Sequence, residues 1–254
     1  MISSMKHYSA EQFKKSLVIF TDGSSLGNPG PGGYGCVTVF QQLDEVVELG
    51  GNKIKTTNNE MELSAVIAGL SHTVFNTADV EIFTDSSYVI NGITKWVHGW
   101  EKNGWQTLAK QEVANKSLWQ NLIGLVRERE RSSKISWHYV PGHVGVIGNE
   151  RCDEIATSFA GGKQVSLYRG KLSEYPRNIL NFTIDETLKQ EKSDKRAKSN
   201  AKAYSYLSLV DGVAMRHVTW AECEARVKGK KAKFKKSISA EDEQSILKDW
   251  GASL

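Results

Sequence analysis

Residues 16–35 read SLVIFTDGSSLGNPGPGGYG, and their pattern sets the start of a sheet. Ser16 to Thr21 is a short apolar run rich in β-formers, and Asp22-Gly23 ends it. A Gly/Pro-rich turn follows and leads into a second strand, CVTVFQQ at 36–42. DEVVELGGNKI at 44–54 reads as a third strand after another turn. Three hairpin-like strands in succession predict an antiparallel start to a sheet.

Outward from this core the pattern changes period. In NNEMELSAVIAGLSHTVF (58–75), Met61, Leu63, Val66, Ile67 and Leu70 recur at helical spacing, with Asn58 or Asn59 placed to cap the helix. DVEIFTDSS (79–87) is a strand that ends in Asp85, and SYVINGITKWV starts a helix. KSLWQNLIGLVRERER (116–131) is another helix, KISWHYVPG (134–142) another strand, and NERCDEIATSFA (149–160) a helix stopped by Gly161-Gly162. This order predicts an α/β mixed sheet with helices packed against it.

The flanks differ. Residues 1–15 read as a loose leader, 16–162 as the main domain and 163–202 as a linker, the stretch 185–202 being charged and nearly free of apolar groups. VSLYRGKLSEYPRNILNF (165–182) keeps apolar residues suited to packing on the main domain, so that boundary stays open. Residues 203–254 read as a small α+β tail. Its strands flank Asp211-Gly212, Thr219 and Glu222 form a capping box, and KFKKSI precedes a helix capped by Ser239, a ββαβα order.

Bulk composition sets limits. The 254 residues are 39% hydrophobic, and no apolar run approaches the ~18 residues of a membrane span. The N-terminus lacks a signal-like apolar stretch, so the expected location is the cytosol. Cys36, Cys152 and Cys223 are scattered, which suggests neither a disulfide framework nor a zinc site. Residues 1–162 carry 14 Lys and Arg against 17 Asp and Glu, while 163–254 carry 19 against 12. The basic half attracts polyanions, although a solvated charged surface reads the same way.

Four acids stand in telling contexts: Asp22 in VIFTDGS, Glu62 in TTNNEMEL, Asp85 in IFTDSS and Asp153 in GNERCDE. Each alone is an ordinary turn or cap residue. Asp22 and Asp85 close apolar strands, which delivers both carboxylates to the carboxyl edge of the sheet. Like charges that close need a cation. Hard oxygen donors without His or Cys favour Mg²⁺ or Mn²⁺, and two such ions about 3.5–4 Å apart suit displacement at phosphorus.

TDGSSLGNPGPGGYG, TTNNEMEL, FTDSSYVINGI and VPGHVGVIGNERCDE, in this order and spacing, resemble the type 1 ribonuclease H family over roughly residues 16–162. The resemblance implies a five-stranded mixed sheet flanked by helices. It also implies Mg²⁺-dependent cleavage of the RNA strand of RNA–DNA hybrids, with Mn²⁺ able to substitute, leaving 5′-phosphate and 3′-hydroxyl ends. By motif position the ligands of two ions are Asp22, Glu62, Asp85 and Asp153, and His143 is a mobile histidine for proton transfer or product release. Ser25, Asn28, Asn58 and Asn59 match substrate contacts suited to reading a 2′-hydroxyl. Lys55, Thr57 and Asn115 match a DNA-phosphate pocket. Trp96 and Trp100 match groove aromatics, although they equally suit the core of their own protrusion. Ser87 stands where one version of the pattern has a longer Gln or Met.

YSYLSLV, VTWAECEARVKG and AKFKKSISAEDE resemble the hybrid-binding domain of many ribonucleases H, related to a viroplasmin fragment. In those relatives it usually precedes the catalytic domain; here it follows. Trp220, Phe234, Lys235 and Lys236 match its contact positions, and duplex RNA is a second expected ligand of the tail. The expected assembly is a monomer with no membrane partner. Two rivals remain: a DNA-directed nuclease or polynucleotidyl transferase on the same fold, and a non-catalytic hybrid binder.

Overall fold

The computed structural model describes residues 8–142, 145–184, 187, 190 and 201–254. It divides into two compact units, residues 1–189 and 190–254.

The first unit is built on a six-stranded sheet. Its strands are β1 (Leu17–Ser25), β2 (Gly30–Phe40), β3 (Glu45–Thr56), β4 (Val80–Thr84), β5 (Ile135–Tyr139) and β6 (Arg169–Lys171). They lie in the order β5-β4-β1-β2-β3-β6. β1 pairs antiparallel with β2 and parallel with β4, so the sheet is mixed as the strand pattern predicts. The five expected strands are all present, and β6 is a short sixth on the β3 edge.

Alternation along β1 assigns its faces. Leu17 and Ile19 join Leu63, Leu70, Trp119 and Leu122 under α1 (Asn58–His72) and α4 (Lys116–Arg129). Val18 and Phe20 join Cys152 and Ile155 of α5 (Ile147–Ala160) on the other face. Between β4 and α4 run α2 (Ser87–Asn91), a π-helical turn at Gly92–Trp96 and α3 (Val97–Lys102).

Three expectations change. The segment 8–15 is no loose leader: Phe13 is buried, and Tyr8 and Phe13 stack edge-on against Phe83. The linker does not begin at 163, because Tyr175, Ile179 and Phe182 are buried in the α5-side core. Burial of these scattered apolar residues outweighs the polar character around them. Thr57, rather than Asn58 or Asn59, caps α1, in a capping box with Glu60.

The second unit has β7 (Ser205–Val210), β8 (Val213–His217), α6 (Trp220–Val227), β9 (Ala232–Ser237) and α7 (Ala240–Trp250). This is the ββαβα order expected, with β7 central in a three-stranded sheet. Leu207 packs with Ile246 and Leu247 on one face, and Val210 with Cys223 and Val227 on the other.

Candidate metal centre and nucleic-acid surface

Thr21 and Thr84 are the last paired residues of the parallel β1–β4 ladder, so Asp22 and Asp85 occupy the next positions on adjacent strands. Glu62 reaches the same point from the second turn of α1. Carboxylate oxygens of Asp22, Glu62 and Asp85 all lie within 4.8 Å of one another.

Two close approaches make this possible. A Cβ on Gly23 would lie 2.2 Å from the Glu62 nitrogen, so α1 sits directly on the strand end. A Cβ on Gly35, the register partner of Asp22, would lie 2.2 Å from the Cys152 carbonyl oxygen. That seats α5 level with Asp22 and brings Asp153, the next residue after Cys152, to the same end of the sheet. Asp153 is half-buried and is not one of the three acids in the 4.8 Å group. His143 lies outside the described residues.

The cluster is electrostatically loaded. Burial, then the charges of Asp22 and Asp85, hold the Glu62 carboxyl well above the usual carboxylate range, against the Asn58 amide and the Gly23 N–H. Asn58 Nδ2 donates to Glu62 Oε1 at 3.2 Å, and Gly23 N–H donates to Asp22 Oδ1 at 2.7 Å. Glu62 Oε2 is buried with no hydrogen-bond partner among the described residues. A buried carboxylate oxygen in that state suits a cation. The donor set is all carboxylate, so it fits a hard divalent ion. Glu60 is turned away to the capping box, Thr56 and Lys53.

The expected substrate residues surround this centre unevenly. Asn28 Oδ1 accepts from the Asn58 N–H at 3.3 Å, and Asn59 is exposed beside them. Ser25 ends β1, half-buried. Lys55 is exposed at the end of β3, next to the Thr57 cap. Asn115, in left-handed backbone, donates to the Tyr88 hydroxyl at 3.3 Å, which also accepts from Trp119 Nε1 at 2.9 Å. Trp100 packs among Trp96, Trp105 and Trp119, while Trp96 remains 38% exposed at the rim. Trp100 is thus largely a core residue of its protrusion.

In the second unit Trp220 lies 5.8 Å from Tyr206 and 5.5 Å from Phe234, ring centre to ring centre. Trp220 and Phe234 are exposed. Lys236, opposite Tyr206, shares that face, and its Nζ donates to the Ala201 carbonyl. Lys235 is opposite buried Leu207, so strand alternation sends it to the other face.

The RNase H family model matches residues 14–160, more than half of the chain. This chain belongs to the RNase H family. It is an enzyme of that family, a nuclease. It is 47% identical over 146 residues to the Ribonuclease H of Erythrobacter litoralis, covering 58% of this chain and 96% of that one. It is 49% identical over 143 residues to the Ribonuclease H of Syntrophotalea carbinolica, covering 56% and 90%. Among solved structures it resembles LC9-RNase H1, a type 1 RNase H with the type 2 active-site motif. The TM-score is 0.53 at 28% identity, covering 66% of this chain and 83% of that one. The family model stops before residues 203–254.

Two groups of residues escape sequence reasoning. Glu48, in mid-β3, has a buried side chain held by Arg151 of α5. Tyr8, His138 and Glu81 form a chain, with Tyr8 hydroxyl to His138 Nδ1 at 2.9 Å and His138 Nε2 to Glu81 at 2.5 Å. Neither lies in a motif; the one hint is Arg151, two residues before Asp153.

Proposed function

We propose that this RNase H hydrolyses the RNA strand of RNA–DNA hybrids with divalent ions, Mg²⁺ or Mn²⁺, leaving 5′-phosphate and 3′-hydroxyl ends. The observation that carries this reading is the convergence of Asp22, Glu62 and Asp85 at one sheet edge within an RNase H fold. Asp153 completes the ligand set from α5. Two ions held there would activate a water and stabilise the leaving oxygen. The chain's own residues do the remaining work. Asn58 orients Glu62, the Gly23 N–H orients Asp22, and burial limits the access of bulk water to these two carboxylates. His143 moves a proton or assists product release.

Ser25, Asn28, Asn58 and Asn59 read the RNA sugar, because the end of β1, the turn after it and the first turn of α1 hold their donors and acceptors beside the acids. Lys55, Thr57 and Asn115 hold a DNA phosphate, and Trp96 borders the DNA strand with Trp100 behind it. The tail holds the hybrid, or duplex RNA, through stacking on Trp220 and Phe234 and phosphate pairing by Lys236 on the same face. A single chain carries all four acids, so a monomer suffices.

End-labelled RNA–DNA hybrid, duplex RNA and duplex DNA incubated in Mg²⁺ test this reading. Cleavage confined to the RNA of the hybrid is expected. Equal cutting of duplex DNA, or no cutting of any substrate, would overturn it.

A further inference from the structure

We infer that Arg151 is a positioning residue for Asp153, and that residues 165–182 form a strap that holds α5 in place through it. This rests on the reading of Asp153 as the fourth acid of the centre.

The four acids are anchored in different ways. Asp22 and Asp85 are fixed by the ladders of β1 and β4, and Glu62 by the seating of α1 on Gly23. Asp153 depends on the rotation and height of α5. A slip of one residue along a helix turns a side chain by about 100°. The Gly35–Cys152 approach sets the height of α5, and its rotation must be locked as well.

The lock is built around Glu48. Its side chain is 1% exposed, and an unpaired carboxylate there would be strongly unfavourable. Four donors satisfy it: Arg151 Nε at 2.7 Å, Arg151 Nη2 at 2.8 Å, the Tyr175 hydroxyl at 2.5 Å and the Tyr168 N–H at 2.9 Å. The Arg151 fork fixes both distance and angle between α5 and β3, which a point charge would not do. Arg151 also donates to the Ser166 carbonyl at 3.2 Å and to Glu154 at 3.0 Å. Glu154 in turn accepts a fork from Arg177, at 2.9 and 2.8 Å. Residues 151 and 154, one helical turn apart and on either side of Asp153, are both tied to the strap. The strap is itself anchored at both ends. β6 pairs with β3, and the Phe182 ring lies 4.8 Å from Phe83 and 5.2 Å from Phe13.

The test uses the full chain, with Tyr175→Phe and Arg177→Ala each made alone and again in an Asp153→Asn background. Arg177 is on the surface, so Arg177→Ala still answers if Tyr175→Phe folds poorly. Binding of Mn²⁺ alone is followed by the electron paramagnetic signal of the free ion, and hybrid cleavage is measured in parallel. Each single variant should weaken Mn²⁺ binding and lower kcat by up to about tenfold, the low end of the scale for residues that orient metal ligands because these two act through Arg151 and Glu154, with KM for hybrid unchanged. In the Asp153→Asn background the same substitutions should have no further effect on either readout. Losses of the same size in both backgrounds, a change confined to KM, or no change in Mn²⁺ binding would overturn the assignment. If the unaltered protein binds Mn²⁺ in this pattern but leaves hybrids intact, the proposed function fails and the positioning role stands.

Discussion

Gly23 lies so close to Glu62 that a Cβ on the glycine would stand 2.2 Å from the Glu62 nitrogen and 2.8 Å from its Cα. The absent side chain lets α1 rest on the end of β1, and that contact places the Glu62 carboxylate among those of Asp22 and Asp85. Backbone cannot yield as a flexible side chain does. Gly23→Ala should therefore push α1 outward, cost about 1–3 kcal/mol in denaturant unfolding and reduce cleavage well beyond that loss of stability. An alanine variant with unaltered melting and activity would show that the helix is held elsewhere.

Glu62 imposes a pH signature on the metal-free protein. Burial and the charges of Asp22 and Asp85 raise its pKa well above the ordinary 4.5, so the folded state binds this proton more tightly than the unfolded chain. The metal-free fold then loses stability as pH rises from 4.5 through the raised folded-state value. A divalent ion offsets the loss by pairing with the carboxylates. Melting temperatures across this range, in chelator and in Mg²⁺, should diverge increasingly with pH. Glu62→Gln should flatten the chelator curve; an unaltered slope in that variant would contradict the assignment of the penalty to Glu62.

Glu48 titrates in the opposite sense. Burial raises its pKa, but the bonds from Arg151, Tyr175 and Tyr168 together outweigh burial and hold it below 4.5. Its contribution is present above 4.5 and is lost as pH falls through the lowered folded-state value. Glu48→Gln should remove part of the acid sensitivity of unfolding, seen as a shallower fall in melting temperature below 4.5. An acid limb identical to that of the unaltered protein would assign that sensitivity to other groups.

The tail offers stacking and charge separately. Trp220→Ala or Phe234→Ala should weaken hybrid binding by about 1–3 kcal/mol with little effect on the salt slope. Lys236→Ala, on the same face as the two rings, should lower the slope of log affinity against log salt by about 1. Titrations at several salt concentrations distinguish the two. Equal slopes for the lysine variant and the unaltered protein would remove that lysine from the phosphate contacts.

Much of this molecule is readable from residue order. Asp22 and Asp85 announce themselves by closing apolar strands, and the tail elements by Asp211-Gly212 and the Thr219–Glu222 box. Tyr8 and Phe13 do not, because isolated aromatics in a polar run have no period. Glu48 reads as a solvated strand residue, since its partner Arg151 is 103 residues away. The 165–182 strap joins the sheet through only three backbone pairs, too few to print an alternation. The convergence of three acids without Asp153 in the tightest group depends on how α5 is seated, which is a tertiary property.

The proposed role of the acid cluster is to cut RNA paired with DNA. It is tested most directly by comparing single-turnover cleavage of a labelled hybrid by the unaltered protein and by Asp22→Asn in Mg²⁺, with hybrid affinity measured alongside. The expected result is unchanged affinity and no detectable cleavage by the variant. Cleavage by Asp22→Asn at the rate of the unaltered protein would contradict the account.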